Sequence, residues 1–247
     1  MARRPLVAGR FDQEEFARLR QVVRLAALLH DVLPRPQERG GGVVPRAVLA
    51  DPVQSKEDRG GMDVVELQAL IAYLASRVKI RGKKALQKLV YFCQEAGVPL
   101  YATYRLHIYG PYSNEVAEEL GEAVAKEILR VDLDGVGFSP GTSCAEYVSR
   151  QWEIIAPHRA AIEGVLEKVG GLSPLELELY ATVHFVASAL SEAYGAADEE
   201  RVVTEVYRAK GLKFGRSQIR AAYRHLLAWG WLGHIPPAQA EATEGNG

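Results

Sequence analysis

Apolar positions recur along this chain in separate helical stripes, interrupted by a short stretch whose period is two. The first stripe has a full start signal at 11–16: Asp12 caps, Glu15 reaches back and Phe11 staples to Phe16. It continues through Leu19, Val22, Val23, Leu25, Ala26, Leu28 and Leu29 to Pro34, and its breadth calls for a packing partner. The same start signal returns at 62–67, with Asp63 as cap, Glu66 completing the box and Met62 stapled to Leu67. Leu67, Leu70, Ile71 and Leu74 form that stripe. In the next helix Leu86, Leu89, Val90 and Cys93 share one face, which leaves Lys83, Lys84, Gln87, Lys88, Gln94 and Glu95 mostly on the other. Gly97 suits the residue after that helix. Tyr104, Leu106 and Ile108 then alternate with Arg105 and His107, the pattern of a short half-buried strand. Gly110-Pro111 is expected to break the strand, and Ser113 or Asn114 to cap a helix over 114–126 with Glu115 in its first turn.

Beyond that helix, 128–133 and 145–148 read as two short strands around the turn-rich stretch 134–141, a pair or wing beside the helices. Helices resume at Trp152, with Pro157 in a first turn or at a kink and Ile162, Val165, Leu166 and Val169 as the stripe. Leu172-Ser173-Pro174-Leu175-Glu176-Leu177 combines staple, cap, first-position proline and box. The helix it opens is apolar on most sides and reads as the central buried one. Further helices are expected over 199–210 and 217–229. The fold class is therefore mainly α with a small β element. Residues 1–34 form an N-terminal helix and 35–61, with Gly40-Gly41-Gly42 and Gly60-Gly61, a Pro/Gly-rich linker. A helical domain spans 62–235, and 236–247 is a polar tail.

Composition narrows the function classes. The 247 residues are 48% apolar and carry a formal net charge of -1, so no general attraction to nucleic acid is expected. Two cysteines, Cys93 and Cys144, are too few for a disulfide framework or a cysteine-rich zinc site. No apolar run approaches the roughly 20 residues of a membrane span, and the N-terminus lacks a signal-peptide core, so a cytoplasmic protein is expected.

Three short motifs together resemble a known family. They are Leu86-Gln87-Lys88-Leu89-Val90-Tyr91-Phe92, Gly97-Val98-Pro99-Leu100 and His107-Ile108-Tyr109-Gly110-Pro111-Tyr112-Ser113. The combination is similar to the YwgA-like family and, more distantly, to the Panacea (SocA-like antitoxin) domain, from about residue 63 to about 232. The resemblance implies a mostly helical module of antitoxin or adaptor type that binds protein partners. It implies no reaction.

The residues agree that catalysis is not indicated, and no cofactor or metal is expected. The six histidines are scattered without metal-ligand spacing, and no phosphate loop, dinucleotide fingerprint or nucleophile elbow occurs. His30-Asp31 is similar to the dyad of HD-type phosphohydrolases, but no histidine precedes it; an HD-derived remnant is the third reading, and a helix-end pair the simpler one. His184 reads as a hydrogen-bonded core histidine. The candidate partner-binding site is the corner where strand gives way to helix: Tyr91, Arg105, His107, Tyr109, Gly110, Pro111, Tyr112 and Ser113. The rival reading is that its tyrosines lock the corner against the core. A second candidate face, Lys213, Arg216, Arg220 and Arg224 with His225, is similar to a winged-helix recognition helix and would bind DNA phosphates. A protein partner is favoured over DNA. No membrane is expected, and a homodimer could form through the N-terminal helix.

Overall fold

Ser173 opens the longest helix among the described residues, against which three other helices and one strand pack. Its hydroxyl accepts from the Glu176 backbone N–H at 3.3 Å, while the Glu176 carboxylate accepts from the Ser173 N–H at 2.8 Å, the expected capping box. The structure, a computed structural model, describes residues 65–232. The expected N-terminal helix, the linker, His30-Asp31 and the tail lie outside the described residues. The elements within them are α1 (Leu67–Arg77), α2 (Lys83–Glu95), β1 (Arg105–His107), β2 (Gly110–Tyr112) and α3 (Asn114–Ala125). Then come β3 (Leu129–Val131), β4 (Phe138–Pro140), α4 (Cys144–Arg150) and α5 (Trp152–Ile155). After a 3-10 turn at Ala156–His158 follow α6 (Arg159–Val169), α7 (Pro174–Tyr194) and α8 (Glu199–Lys210). A second 3-10 turn, Gly211–Lys213, leads to α9 (Arg216–Ala228). The fold is mainly α with two small antiparallel strand pairs.

α7 packs against α2, α8, α9 and β2, which makes it the central helix. Its buried side chains, among them Leu177, Val183 and Val186, face several directions, as its nearly uniform apolar character requires. α1 packs against α3, α4 and β4, and Leu70, Ile71 and Leu74 are fully buried there. The helix begins at Leu67, so Glu66 is its N-cap rather than part of a box, and makes no side-chain cap bond. Its carboxylate accepts instead from the Tyr147 hydroxyl at 3.4 Å. α6 buries Ile162, Val165, Leu166 and Val169, the expected stripe, and Pro157 sits in the 3-10 turn before it.

Two expectations are corrected. Gly110-Pro111 does not end the strand segment: β2 folds back on β1, with Arg105 opposite Tyr112, Leu106 opposite Pro111 and His107 opposite Gly110. A two-stranded ribbon has only edge strands, where proline is tolerated because no inner ladder needs its missing N–H. Likewise 145–148 is helical, within α4, and the partner of β3 is β4, which lies in the stretch expected to be loop. The Asp134 carboxylate accepts from the Val136 and Gly137 N–H groups at 2.8 and 2.9 Å and turns the chain early, so pairing begins already at Phe138.

Candidate functional site

α2 and the segment after it hold each other through two glutamines seven residues apart on one face of the helix. Gln87 donates to the Ser113 carbonyl at 2.8 Å and accepts from the Ser113 N–H at 3.0 Å. Gln94 does the same at Ala102, at 3.1 and 3.3 Å. One clamp lies before β1 and the other after β2. Gly97, with φ 90°, turns the chain out of α2 as expected and needs the left-handed freedom of glycine. Ser113 also caps α3: its hydroxyl accepts from the Val116 N–H and donates to Glu115 at 2.6 Å. The two halves of the motif that carried the family resemblance are therefore physical partners.

Two lysines hold the hairpin between the clamps. Lys88 Nζ donates to the Pro111 carbonyl at 2.5 Å, and Lys210 Nζ to the Ile108 carbonyl at 2.6 Å. Both lysines are buried, Lys88 at 1% exposure. Beneath them lies buried Glu178 of α7, which pairs with Lys210 at 3.0 Å and with half-exposed Lys213 at 2.8 Å. Burial, then the charges of Lys210, Lys84 and Lys213, push the Lys88 amine down to about 7, with Glu178 opposing them. The carbonyls and amides at the corner are thus taken by side chains from α2 and α8.

Gly110 sits at φ 85°, and a Cβ there would lie 2.9 Å from Thr182 Oγ1 and 3.3 Å from Lys88 Cε. Gly110→Ala is expected to destabilise the fold by roughly 1–3 kcal/mol, from backbone strain and this close approach together. Urea unfolding checks this, and an unchanged midpoint would count against the packing described.

The corner residues divide into scaffold and surface. Gly110, Pro111 and Ser113 are buried and serve the clamp. Tyr91 does not reach the corner surface. It lies in the core with its ring 5.0 Å from Tyr104 and 5.6 Å from His184. The Trp231 carbonyl can only accept, so His184 Nε2 donates to it at 3.1 Å, and Nδ1 accepts from the Tyr91 hydroxyl at 2.7 Å. Burial holds this histidine neutral, its pKa lowered to about 4, with the Trp231 bond opposing. It is the core histidine that its sequence setting indicates.

Arg105, His107, Tyr109 and Tyr112 form the outer surface. Tyr112 is 38% exposed, with its ring 5.6 Å from that of His107. Lys84 Nζ lies 3.2 Å from the centre of the Tyr109 ring, and Lys213 Nζ 5.0 Å from it. Partial burial, then Lys88 and Lys210, lower the His107 pKa.

The missed residues are Lys84, Lys88, Glu178 and Lys210. Lys88 and Gln87 belong to the buried side of α2, not to the solvated one. A usable signal existed at Glu178: a carboxylate within a helix apolar on most sides must be buried, and a buried carboxylate needs cations.

The second candidate face is engaged within the protein. Arg224 makes two parallel bonds to Glu199, at 2.9 and 3.0 Å, and Arg220 pairs with Glu199 at 2.9 Å and with Glu200. Arg216 lies over the Tyr207 ring at 4.6 Å, and Lys213 is bound to Glu178. His225 is hydrogen-bonded to the Tyr180 hydroxyl at 2.6 Å and stacked with Trp229. The acidic start of α8 therefore lies along the basic side of α9.

Cys93 and Cys144 are free and buried, and burial pushes both thiols up. Among the described residues, no group of three or more His, Cys, Asp or Glu is placed to hold a metal ion. No helix among them is long and apolar enough to cross a membrane.

No protein-family model matches the chain. The chain is similar to YwgA, an uncharacterized protein of Bacillus subtilis strain 168, with 28% identity over 125 residues, 50% of this chain and 71% of that protein. The likeness supports a YwgA-like relationship.

Proposed function

We propose that this chain is a non-enzymatic protein-interaction module of antitoxin or adaptor type, acting in the cytoplasm, that binds a partner at the outer surface of the β1–β2 hairpin. The observation that carries this reading is a small aromatic and cationic surface on backbone held at four points, Ala102, Ile108, Pro111 and Ser113. A surface ordered in advance loses little conformational freedom on binding. Tyrosine and arginine are the residue types that most often anchor protein interfaces. The resemblance of the 86–92 and 107–113 motifs to Panacea domains implies the same kind of module. Two groups capable of acid–base or nucleophilic work are committed to the core: both nitrogens of His184 are occupied, and burial keeps the Cys93 thiol protonated. A DNA-binding reading would require α9 to release Arg220 and Arg224 from Glu199.

The test is partner capture from the native host, followed by measurement of affinity for the retrieved protein. Tyr112→Ala and His107→Ala are each expected to weaken binding by roughly tenfold or more, with stability within about 1 kcal/mol of the parent. If both variants lose several kcal/mol of stability and the folded fraction binds normally, the corner is scaffold only.

A further inference from the structure

The same corner carries an excess of positive charge. Lys84, Lys88, Lys210 and Lys213 come together from α2, the end of α8 and the turn after it, and Arg105 projects from β1. Glu178 supplies the carboxylate for Lys210 and Lys213. Lys84 and Lys88 form no ion pair with a carboxylate among the described residues; Lys84 lies on the Tyr109 ring and Lys88 on a backbone carbonyl. Such a concentration of like charge is unusual in a chain whose formal net charge is only -1. An exposed apolar side chain adjoins it: Leu212, beside Lys213, is 93% exposed.

We propose that the hairpin corner recognises an acidic segment of a partner protein, its carboxylates held by Lys84, Arg105 and Lys213 and its apolar residues resting against Tyr109, Tyr112 and Leu212. This rests on the protein-interaction reading and specifies the partner's chemistry. Charge complementarity selects the occupant. Glu178 is the carboxylate that pairs with Lys210 and Lys213, and a carboxylate beside Lys84 and Arg105 would add a second anion to the cluster, over partly buried ground where the attraction is screened less than in open water. Partly exposed side chains carry the recognition, while the buried lysines beneath supply field rather than contact.

Hexaglutamate is the probe, titrated into the full chain at low and at moderate salt. Binding that weakens steeply with salt is expected. Lys84→Ala with Arg105→Ala should weaken it roughly tenfold. The paired control Arg150→Ala with Lys168→Ala, on the exposed Arg150 of α4 and the partly exposed Lys168 of α6, should leave it unchanged. Absent hexaglutamate binding, or an equal loss in the control, overturns the proposal. Tighter binding of an oligothymidylate of matching length, lost with the same two substitutions, would make the corner a nucleic-acid surface and also overturns it. The two proposals separate on the captured partner. If Tyr112→Ala abolishes capture and the Lys84/Arg105 pair does not, the acidic-segment proposal fails and the interaction reading stands. If neither changes capture, both fail.

Discussion

Replacing Glu178 with alanine is expected to lower the stability of this protein by about 3–5 kcal/mol. The carboxylate is buried and shared between Lys210 at 3.0 Å and Lys213 at 2.8 Å. Its removal strips a buried ammonium of its counter-charge while Lys88 remains close by, so repulsion among the lysines is no longer opposed. Lys213 is half exposed and can turn to water, which limits the damage; Lys210 is buried and tied to Ile108. The midpoint of thermal unfolding should fall by roughly 10 °C for a domain of this size. The double variant Glu178→Met with Lys210→Met should recover part of the loss, because a well-packed apolar pair replaces an uncompensated charge. A fall of under about 1 kcal/mol for Glu178→Ala would show that water reaches these lysines and that the corner is not the dry structure described here.

Lys88 leads to the second large effect, which depends on pH. Its amine titrates near 7 in the folded chain against an ordinary value of 10.5. Between those values the unfolded chain holds a proton that the folded chain has released, so raising the pH favours folding. Below about pH 7 both states are protonated and burying this charge costs about 5 kcal/mol; above about 10.5 the penalty is gone. Lys88→Met removes the titrating group but keeps most of the buried stem. The stability of the parent relative to this variant should therefore rise by about 1 kcal/mol per pH unit from 7 to 10. Lys84, Lys210, Lys213 and Glu178 face the same amine, but all four are present in both proteins, so the comparison isolates Lys88. Urea unfolding of the two proteins at several pH values measures the difference. A flat difference across that range would mean that Lys88 stays charged when folded, with an anion or water beside it.

Local chemistry made most of the helices legible. Ser173 with Glu176, Ser113 before α3 and Gly97 after α2 act through neighbours within four residues, so their signals are complete in the sequence. The apolar stripes of α2 and α6 and the all-round apolar character of α7 report burial directly, because period and burial are linked within one element. The corner motif was visible for the same reason: β1 alternates, and Arg105 and His107 face out.

What stayed hidden depended on contacts between elements distant in the chain. Gln87 and Lys88 look solvated on a helical wheel, yet a second layer, the 102–113 segment, covers them and gives each a backbone partner 26 and 23 residues away. Glu178 and Lys210 are 32 residues apart, and nothing in either local pattern names the other. β4 was missed because Phe138-Ser139-Pro140 lies between glycines and ends in proline, so its composition reads as turn; its pairing with β3 follows from the Asp134 turn and from the Phe138 N–H bond to the Ile80 carbonyl. The basic side of α9 offered a second, less favoured reading as a surface for phosphate, and its pairing with Glu199 and Glu200 is not visible in either local pattern. By itself the sequence determined where most of the helices lie and which apolar stripes seek the core, since those follow from residue type and spacing, while the start of α1 and the helical state of α4 did not follow from it. Which charges are buried, and with what partner, was decided only by the tertiary structure, because the electrostatic state of a side chain is set by whatever the fold brings within a few ångströms of it.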